Sequence, residues 1–193
     1  MPSEAVNKAL AQLEQSRDGS LSGIVIDGLD FSGEDLSGIK LSGLHARHAR
    51  FRRTAVKRAA IEDSDLEGAD FEFANLENAA FFDCVLPEAN FSNANLTGGS
   101  INASSCENSR FDGADLANAQ LRGSFLDGCS FKNAQMAGVD ALKATFRGAD
   151  LTGANLSGAN LQGADFTNAR LNGVNWKGSN IRDAKFDAPK RPY

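Results

Sequence analysis

The sequence contains few residues of several chemically informative types. Its 193 residues include one tryptophan, one tyrosine, two histidines and three cysteines. Three cysteines without paired spacing argue against a disulfide framework and favour a reducing compartment. No phosphate-binding loop, cofactor motif or serine–histidine–aspartate set is present. We therefore expect a protein that is not an enzyme and that holds no cofactor and no metal ion.

Long apolar runs and a basic charge balance are also missing. No stretch approaches the roughly 20 residues of a membrane span, and the N-terminal "MPSEAVNKALAQLEQS" is amphipathic and acidic, unlike a signal peptide. We expect a cytoplasmic protein without membrane contact. The net charge of −5 argues against direct nucleic-acid binding, because phosphates attract clustered lysine and arginine.

An apolar residue occupies every fifth position along most of the chain. The run begins at Leu21, never slips and ends at Phe186, and we call its members anchors. With 41% of residues apolar, unbroken agreement over this length is not a chance outcome. Two residues before each anchor lies the pre-anchor position, which from Ala49 onward holds mostly alanine. The spacing matches neither a helix period near 3.6 nor a strand period of 2.

Glycine and asparagine mark a bend in each five-residue unit. Nearly all of the 19 glycines lie two residues after an anchor, as Gly148 does, and asparagine often replaces them, as at Asn78. Both residue types accept positive φ. Pro87 follows an anchor directly, which suits the second position of a type II turn. Each unit is therefore predicted to be a short extended piece closed by one turn.

The pattern A(D/N)LXX, seen in "ADLTG", "ANLSG" and "ANLQG", resembles the repeat of the pentapeptide repeat family over residues 23–187. This resemblance implies an all-β solenoid, a right-handed quadrilateral β-helix with four units in each coil and with anchors and pre-anchors facing inward. It implies no single function. Members of the family range from proteins that protect DNA gyrase from inhibitors to many of unknown role.

Four units per coil would stack residues that lie 20 apart, at the strand spacing of about 4.8 Å. The anchors then sort by chemistry, since one column is nearly all aliphatic and another begins with phenylalanines. The aromatic column contains Phe31, Phe51, Phe71, Phe91, Phe111 and Phe131. We expect about eight coils, the number that this stacking gives over residues 20–187.

The two ends differ from the repeat. Residues 1–19 are predicted to form a capping helix over the first coil, because Ser3 can cap its first turn and Val6, Leu10 and Leu13 form one apolar stripe. Residues 188–193 are predicted to be a short C-terminal tail. Glu34 stands in a pre-anchor position, and we expect it near the rim of the first coil, within reach of Lys8.

Basic and acidic residues are concentrated in neighbouring coils. The stretch "RHARFRRTAVKR", Arg47–Arg58, suggests nucleic-acid binding when taken alone, and an acidic stretch follows it. A shift of 20 residues, however, places acids beside the bases, and opposite charges on neighbouring strands help to set register. The predicted pairs of this charge ladder are Arg47–Glu67, Arg52–Glu72 and Lys57–Glu77. A protein-docking band and a nucleic-acid patch are the alternatives.

The histidines and cysteines do not indicate a metal site or a catalytic site. His45 and His48 have an H-x-x-H spacing without a third ligand, so we expect His45 to pair with a carboxylate of the next coil. The cysteines fall in inward positions and are interpreted as small core residues. They are Cys84, Cys106 and Cys129.

A few phenylalanines break the anchor pattern and are predicted to face outward: Phe73, Phe82 and Phe125. Phe82 and Val85 flank one corner, Pro87 follows, and Phe125 shares the column of Val85 two coils away. A cluster of exposed apolar side chains indicates a contact surface. We predict a protein-contact patch at Phe82, Val85, Pro87 and Phe125, with local packing over the corner as the alternative.

Two function classes fit these features. The first is a non-catalytic scaffold or protein-interaction module, a rigid rod that binds a protein partner not identified by the sequence. The alternative, taken from the family resemblance, is a DNA-mimicking protein that binds and protects DNA gyrase or topoisomerase. Against it, the sequence has no loop inserted between coils, no evident C-terminal dimerisation helix, and charges of both signs in one ladder. We favour the scaffold and expect a monomer or a weak end-to-end dimer.

Overall fold

The computed structural model describes residues 3–17, 19–188 and 192. Helix α1 (Glu4–Gln15) is followed by short strands that form one parallel sheet in sequence order. The strands are β1 (Leu21–Ser22), β2 (Lys40–Ser42), β3 (Ala60–Glu62), β4 (Ala80–Phe82) and β5 (Ser100–Asn102). Within the described residues no helix has the length and apolar character needed to cross a bilayer.

Residues 20 apart pair in parallel on every side of the fold. In the sheet, Leu41 pairs with Leu21 on one side and with Ile61 on the other. Single parallel bridges with the same offset continue to Asp165 and Lys185. The chain therefore returns to the same side every 20 residues and stacks each coil on the one before it, which confirms the stacking that the sequence predicts.

A left-handed backbone residue bends each five-residue unit. At every position two residues after an anchor, from Gly23 to Asp183, φ lies between 48° and 81°. In most units the next N–H donates to the anchor carbonyl, as from Ala154 to Leu151 at 2.9 Å. This bond and the positive φ at the third position are the features of a type II turn. The bends predicted from glycine and asparagine are confirmed.

The aspartate or asparagine before an anchor completes the hydrogen bonding of the turn. Asp150 Oδ1 accepts the N–H of Thr152 at 3.0 Å, and Asn155 Oδ1 accepts that of Ser157 at 3.2 Å. These donors take no part in the backbone pairing between coils, so a side-chain oxygen satisfies them. Burial opposes the charge of Asp150, but hydrogen bonds from the Thr152 hydroxyl and N–H outweigh it, and the pKa of Asp150 lies below its ordinary 3.8.

Anchors and pre-anchors fill the interior. Every anchor from Ile26 to Phe166 is buried, and so is every pre-anchor from Ile39 to Ala169. In the predicted aromatic column, neighbouring rings lie with centroids 4.8 to 5.6 Å apart and planes within 10° of parallel. A second stack was not predicted, and its centroids are 5.0 and 5.1 Å apart. It consists of Phe146, Phe166 and Phe186.

Helix α1 covers the first coil. The Ser3 hydroxyl accepts the N–H of Val6 at 3.3 Å and caps the helix, as predicted. Val6, Ala9 and Leu13 are buried and join the core of the rod. The helix thus covers apolar side chains that an open end would expose, as terminal units of repeat proteins do.

Polar contacts attach the C-terminal end of α1 to the same coil. The Arg17 guanidinium donates to the carbonyl of Asp35 at 2.7 Å, and the N–H of Lys40 donates to the Ser16 hydroxyl at 3.3 Å. The predicted boundaries 1–19, 20–187 and 188–193 stay predictions, and most of the predicted tail lies outside the described residues.

Candidate protein-interaction surface

The apolar side chains predicted to form a contact lie exposed on one side of the rod. Phe82, Val85 and Phe125 are 49%, 43% and 46% exposed. Val85 and Phe125 are both bridged to Ser105, which lies between them in one column. Two coil spacings, about 10 Å, therefore separate them. We call Phe82, Val85, the half-buried Pro87 and Phe125 the apolar patch.

Buried neighbours in the chain fix the orientation of this patch. Phe82 directly follows the anchor Phe81, and Val85 directly precedes the anchor Leu86; both anchors are fully buried. Because neighbouring residues of an extended chain point to opposite faces, packing of the anchors directs Phe82 and Val85 outward. The patch therefore lies on a backbone held by core packing and by ladder hydrogen bonds to the coils on both sides.

Among the described residues, two other large apolar side chains are exposed and lie outside the patch. Phe73 is 46% exposed, has φ of 59°, and packs beneath the guanidinium of Arg53, whose central carbon lies 5.3 Å from the ring centroid. This cation–π contact covers part of one ring face. Val25 is 65% exposed in the column of Val85, three coils earlier. Val25 was not predicted to be part of an exposed surface, although it precedes an anchor just as Val85 does.

The bases and acids of the predicted charge ladder lie beside one another. Arg52 forms an ion pair with Glu72, and the ammonium of Lys57 lies 3.2 Å from a carboxylate oxygen of Glu77. Arg47 and Glu67 are farther apart, at 3.7 Å. All of these side chains are partly exposed, and solvent screening limits each pair to about 0 to 1 kcal/mol.

A second set of ion pairs joins residues 18 apart and was not predicted. Arg47 Nε lies 2.6 Å from Asp65 Oδ2, and Arg52 lies 3.3 Å from Asp70. The hydrogen bond to Asp65 and its charge raise the pKa of Arg47. A base after an anchor therefore reaches two acids of the next coil, one directly after and one directly before the anchor that stacks on its own. The sequence signal is a base after one anchor and Asp before the anchor in the next coil.

The family profile described as pentapeptide repeats matches residues 64–102, 89–128, 129–168 and 159–187. The chain belongs to the pentapeptide repeat family. Several solved structures are similar to it at low identity. A trypsin-treated variant of QnrB1, a plasmid-mediated fluoroquinolone resistance protein, is 23% identical, with 88% of this chain and 93% of that chain covered and a TM-score of 0.49.

Two similar structures are of pentapeptide repeat proteins from cyanobacteria. HetL from Nostoc, involved in heterocyst differentiation regulation, is 22% identical, with 97% of this chain and 98% of that chain covered and a TM-score of 0.34. Rfr23 from Cyanothece is 20% identical, with 94% and 99% covered and a TM-score of 0.31. A search among curated proteins gives no match.

The charge ladder of this pentapeptide repeat protein gives a test of register. We expect Arg52→Glu to lower the free energy of unfolding by several tenths of a kcal/mol, because it places like charges beside Glu72 and Asp70. Adding Glu72→Arg should restore part of the loss, with Asp70 still opposing full recovery. Equilibrium urea unfolding of the two single variants and the double variant measures the coupling. Arg58→Glu is the control, since Arg58 has no ion pair in the described part of the chain. If the free-energy changes of Arg52→Glu and Glu72→Arg were strictly additive in the double variant, the charge ladder would be contradicted.

The cysteines of the repeat are core residues, as predicted. Cys84, Cys106 and Cys129 are buried. Burial raises the pKa of Cys84 to about 11 and that of Cys129 to about 12. These thiols stay protonated near neutral pH and are poor nucleophiles. His45 is exposed with its backbone bridged to Asp65, and among the described residues no group of three His, Cys, Asp or Glu could hold a metal ion.

A cleft of about 510 Å³ lies between α1 and the first coil of the repeat. Its lining includes Val6, Leu29, Asp30 and Glu34. Glu34 is half-buried near the rim, where the sequence analysis placed it. The expected pairing with Lys8 is not formed, since none of the ion pairs among the described residues joins Glu34 and Lys8.

Proposed function

We propose that the chain is a non-catalytic scaffold that binds a protein partner through the apolar patch. The rod that carries the patch is inferred to be a right-handed quadrilateral β-helix of about eight coils, in keeping with the 20-residue period and with the right-handed preference of parallel crossovers. Buried, unpaired thiols support a reducing compartment, and we place the protein in the cytoplasm.

The observation that carries this proposal is the exposure of Phe82, Val85 and Phe125 on one rigid face. Burying an apolar side chain of this size in an interface contributes about 1.5 to 3 kcal/mol. Since the backbone beneath the patch is fixed by core packing, little backbone freedom would be lost on this side when a partner binds. A few aromatic residues near the centre of an interface often contribute most of its binding energy.

The proposal predicts that capture of a partner depends on the patch. Immobilised wild-type protein should retain a partner from a lysate of the source cells, and the double variant Phe82→Ser and Phe125→Ser should not. Phe73→Ser is the matched control, because Phe73 is also 46% exposed but lies outside the patch. The proteins retained are compared by quantitative mass spectrometry. Equal retention by all three proteins would overturn the proposal.

The competing hypothesis from the sequence, gyrase protection by DNA mimicry, is tested with purified gyrase. We expect the protein neither to inhibit supercoiling nor to protect it from a quinolone at micromolar concentration, because the ladder bases neutralise part of its acidic surface. Protection that disappears when Glu67, Glu72 and Glu77 are changed to lysine would support DNA mimicry and contradict the scaffold.

A further inference from the structure

We propose that the partner segment bound by the apolar patch is a basic amphipathic helix, which lies along the rod axis with apolar side chains on the patch and lysine or arginine on both flanks. The inference rests on the proposed function and adds the chemistry of the partner. It is drawn from the charges beside the patch and from the spacing of its apolar side chains.

Acidic side chains without an ion pair surround the apolar patch. In the described part of the chain, none of them has a basic nitrogen within 4.0 Å. They are Glu62, Asp63, Asp83, Glu88 and Glu107. We call these residues the acidic rim. It differs from the charge ladder, where the corresponding acids face bases of the neighbouring coil.

The acidic rim lies on both sides of the column that holds Val85 and Phe125. On one side, Glu62 pairs in register with Phe82, and the N–H of Asp63 donates to the Phe82 carbonyl at 3.1 Å. Asp83 directly follows Phe82 in the chain. On the other side, Glu88 follows Val85 around the next turn, and Glu107 follows Ser105 in the next coil.

Backbone contacts place these two acids on neighbouring coils. The N–H of Glu88 donates to the carbonyl of Glu107 at 3.0 Å, and Pro87 lies between Glu88 and the anchor Leu86. An apolar strip with acids on both flanks is complementary to a helix with an apolar strip and bases on both flanks.

Two bases near Phe125 are already paired with acids, while Lys143, one coil beyond Phe125, has no ion pair in the described part of the chain. Arg122 lies 2.5 Å from Asp140, and Arg147 lies 2.6 Å from Asp127. Around Phe82 and Val85 the charges left without an ion pair are therefore negative, and Lys143 is the one exception near the Phe125 end among the described residues. Asp63 and Asp83 occupy the same corner on adjacent coils, where like charges destabilise a ladder, and a bound cation would relieve this repulsion. A nucleic acid or an anionic lipid surface would be repelled by the same charges.

The spacing of the patch suits a helix. Val85 and Phe125 lie two coils apart, about 10 Å along the axis. Residues i and i+7 of an α-helix are about 10.5 Å apart, so they can contact Val85 and Phe125 together. The side chain between them, at i+3 or i+4, then faces the small Ser105. Side chains on the two flanks of the helix extend toward the acidic rim on either side.

Two synthetic peptides of about 20 residues test this inference directly. Both have leucine at the a and d positions of a heptad repeat; one has lysine and the other glutamate at e and g. Fluorescence anisotropy with labelled peptide measures binding to the full chain. We expect the lysine peptide to bind at least about tenfold more tightly than the glutamate peptide, and its affinity to fall as ionic strength rises.

Matched variants assign that binding to the patch and the acidic rim. Phe82→Ser with Phe125→Ser should abolish binding of the lysine peptide, while Phe73→Ser should not change it. Asp83→Asn with Glu88→Gln should weaken binding about fivefold or more, because each substitution removes one unpaired charge. Glu4→Gln with Glu14→Gln changes the net charge equally on α1 and should have no effect. All of these side chains are exposed, so the variants should keep the wild-type melting temperature.

The outcomes separate this inference from the proposed function. Equal affinity for the two peptides, with patch-dependent capture of a cellular partner, would overturn the basic helix and leave the scaffold. Lysine-peptide binding that is unchanged in both test variants would show general attraction to an acidic protein and would also overturn the inference. Capture of cellular proteins that does not depend on the patch would overturn the scaffold and this inference with it.

Discussion

Replacement of Phe111 by alanine should lower the free energy of unfolding by about 3 to 5 kcal/mol. Phe111 is fully buried, and its ring stacks between those of Phe91 and Phe131 with centroid distances of 4.8 Å on both sides. The ladder hydrogen bonds hold neighbouring coils at a fixed spacing, so the surrounding side chains cannot collapse into the space left by the ring.

Equilibrium urea unfolding, followed by circular dichroism, measures this loss for Phe111→Ala. Phe73→Ala is the control, because Phe73 is exposed and its loss should cost much less. A rod of repeats can unfold in parts, so agreement between two spectroscopic probes is needed before a free energy is assigned. A melting temperature equal to that of the wild type would contradict the aromatic stacking.

Enlarging a pre-anchor residue should also be strongly destabilising. Ala134 is fully buried and lies between Ala114 and Ala154 of the neighbouring coils. The added carbons of Ala134→Leu have no free space, and overpacking of this kind costs about 1 to 3 kcal/mol. We expect the upper part of this range, since the coil is closed by hydrogen bonds on all sides.

The adjacent residue provides the matched control for this substitution. Gln135 is exposed, and Gln135→Leu should change stability by no more than about 0.5 kcal/mol. Thermal and urea unfolding of the two variants can be compared under the same conditions. Similar losses at both positions would contradict the inward and outward assignment of neighbouring residues.

The five-residue frame could be predicted from the sequence because three independent preferences share it. Anchors such as Phe111 supply apolar bulk, pre-anchors such as Ala134 must be small, and Gly153 stands where φ is positive. Each position has a physical requirement that few residue types meet. The 20-residue period could be predicted because phenylalanines of the core prefer to stack on one another.

Surface contacts were harder to predict because long side chains choose between partners. The stacking of residues 20 apart places Arg47 beside Glu67. The guanidinium of Arg47, however, lies closer to Asp65, at 2.6 Å, than to Glu67, at 3.7 Å. Partner choice here depends on rotamers and on the reach of the guanidinium, which residue spacing does not describe. The predicted contact between Glu34 and Lys8 was wrong for a related reason. It depended on how α1 lies across the first coil, which residue spacing does not describe.

Each side of the coil contains five residues and each complete coil contains 20. Insertions of these two lengths have different consequences. Insertion of one five-residue unit between Val85 and Phe125 would preserve the anchors, the turns and the backbone hydrogen bonds between coils. It would, however, move Phe125 to the adjacent side of the rod. Insertion of a whole coil would keep Phe125 on its original side and only lengthen the patch by about 4.8 Å. Duplication of five residues therefore conserves the fold, but only duplication of 20 residues also conserves the arrangement of surface side chains. Homologous rods that differ by single five-residue units can share a core and present unrelated faces.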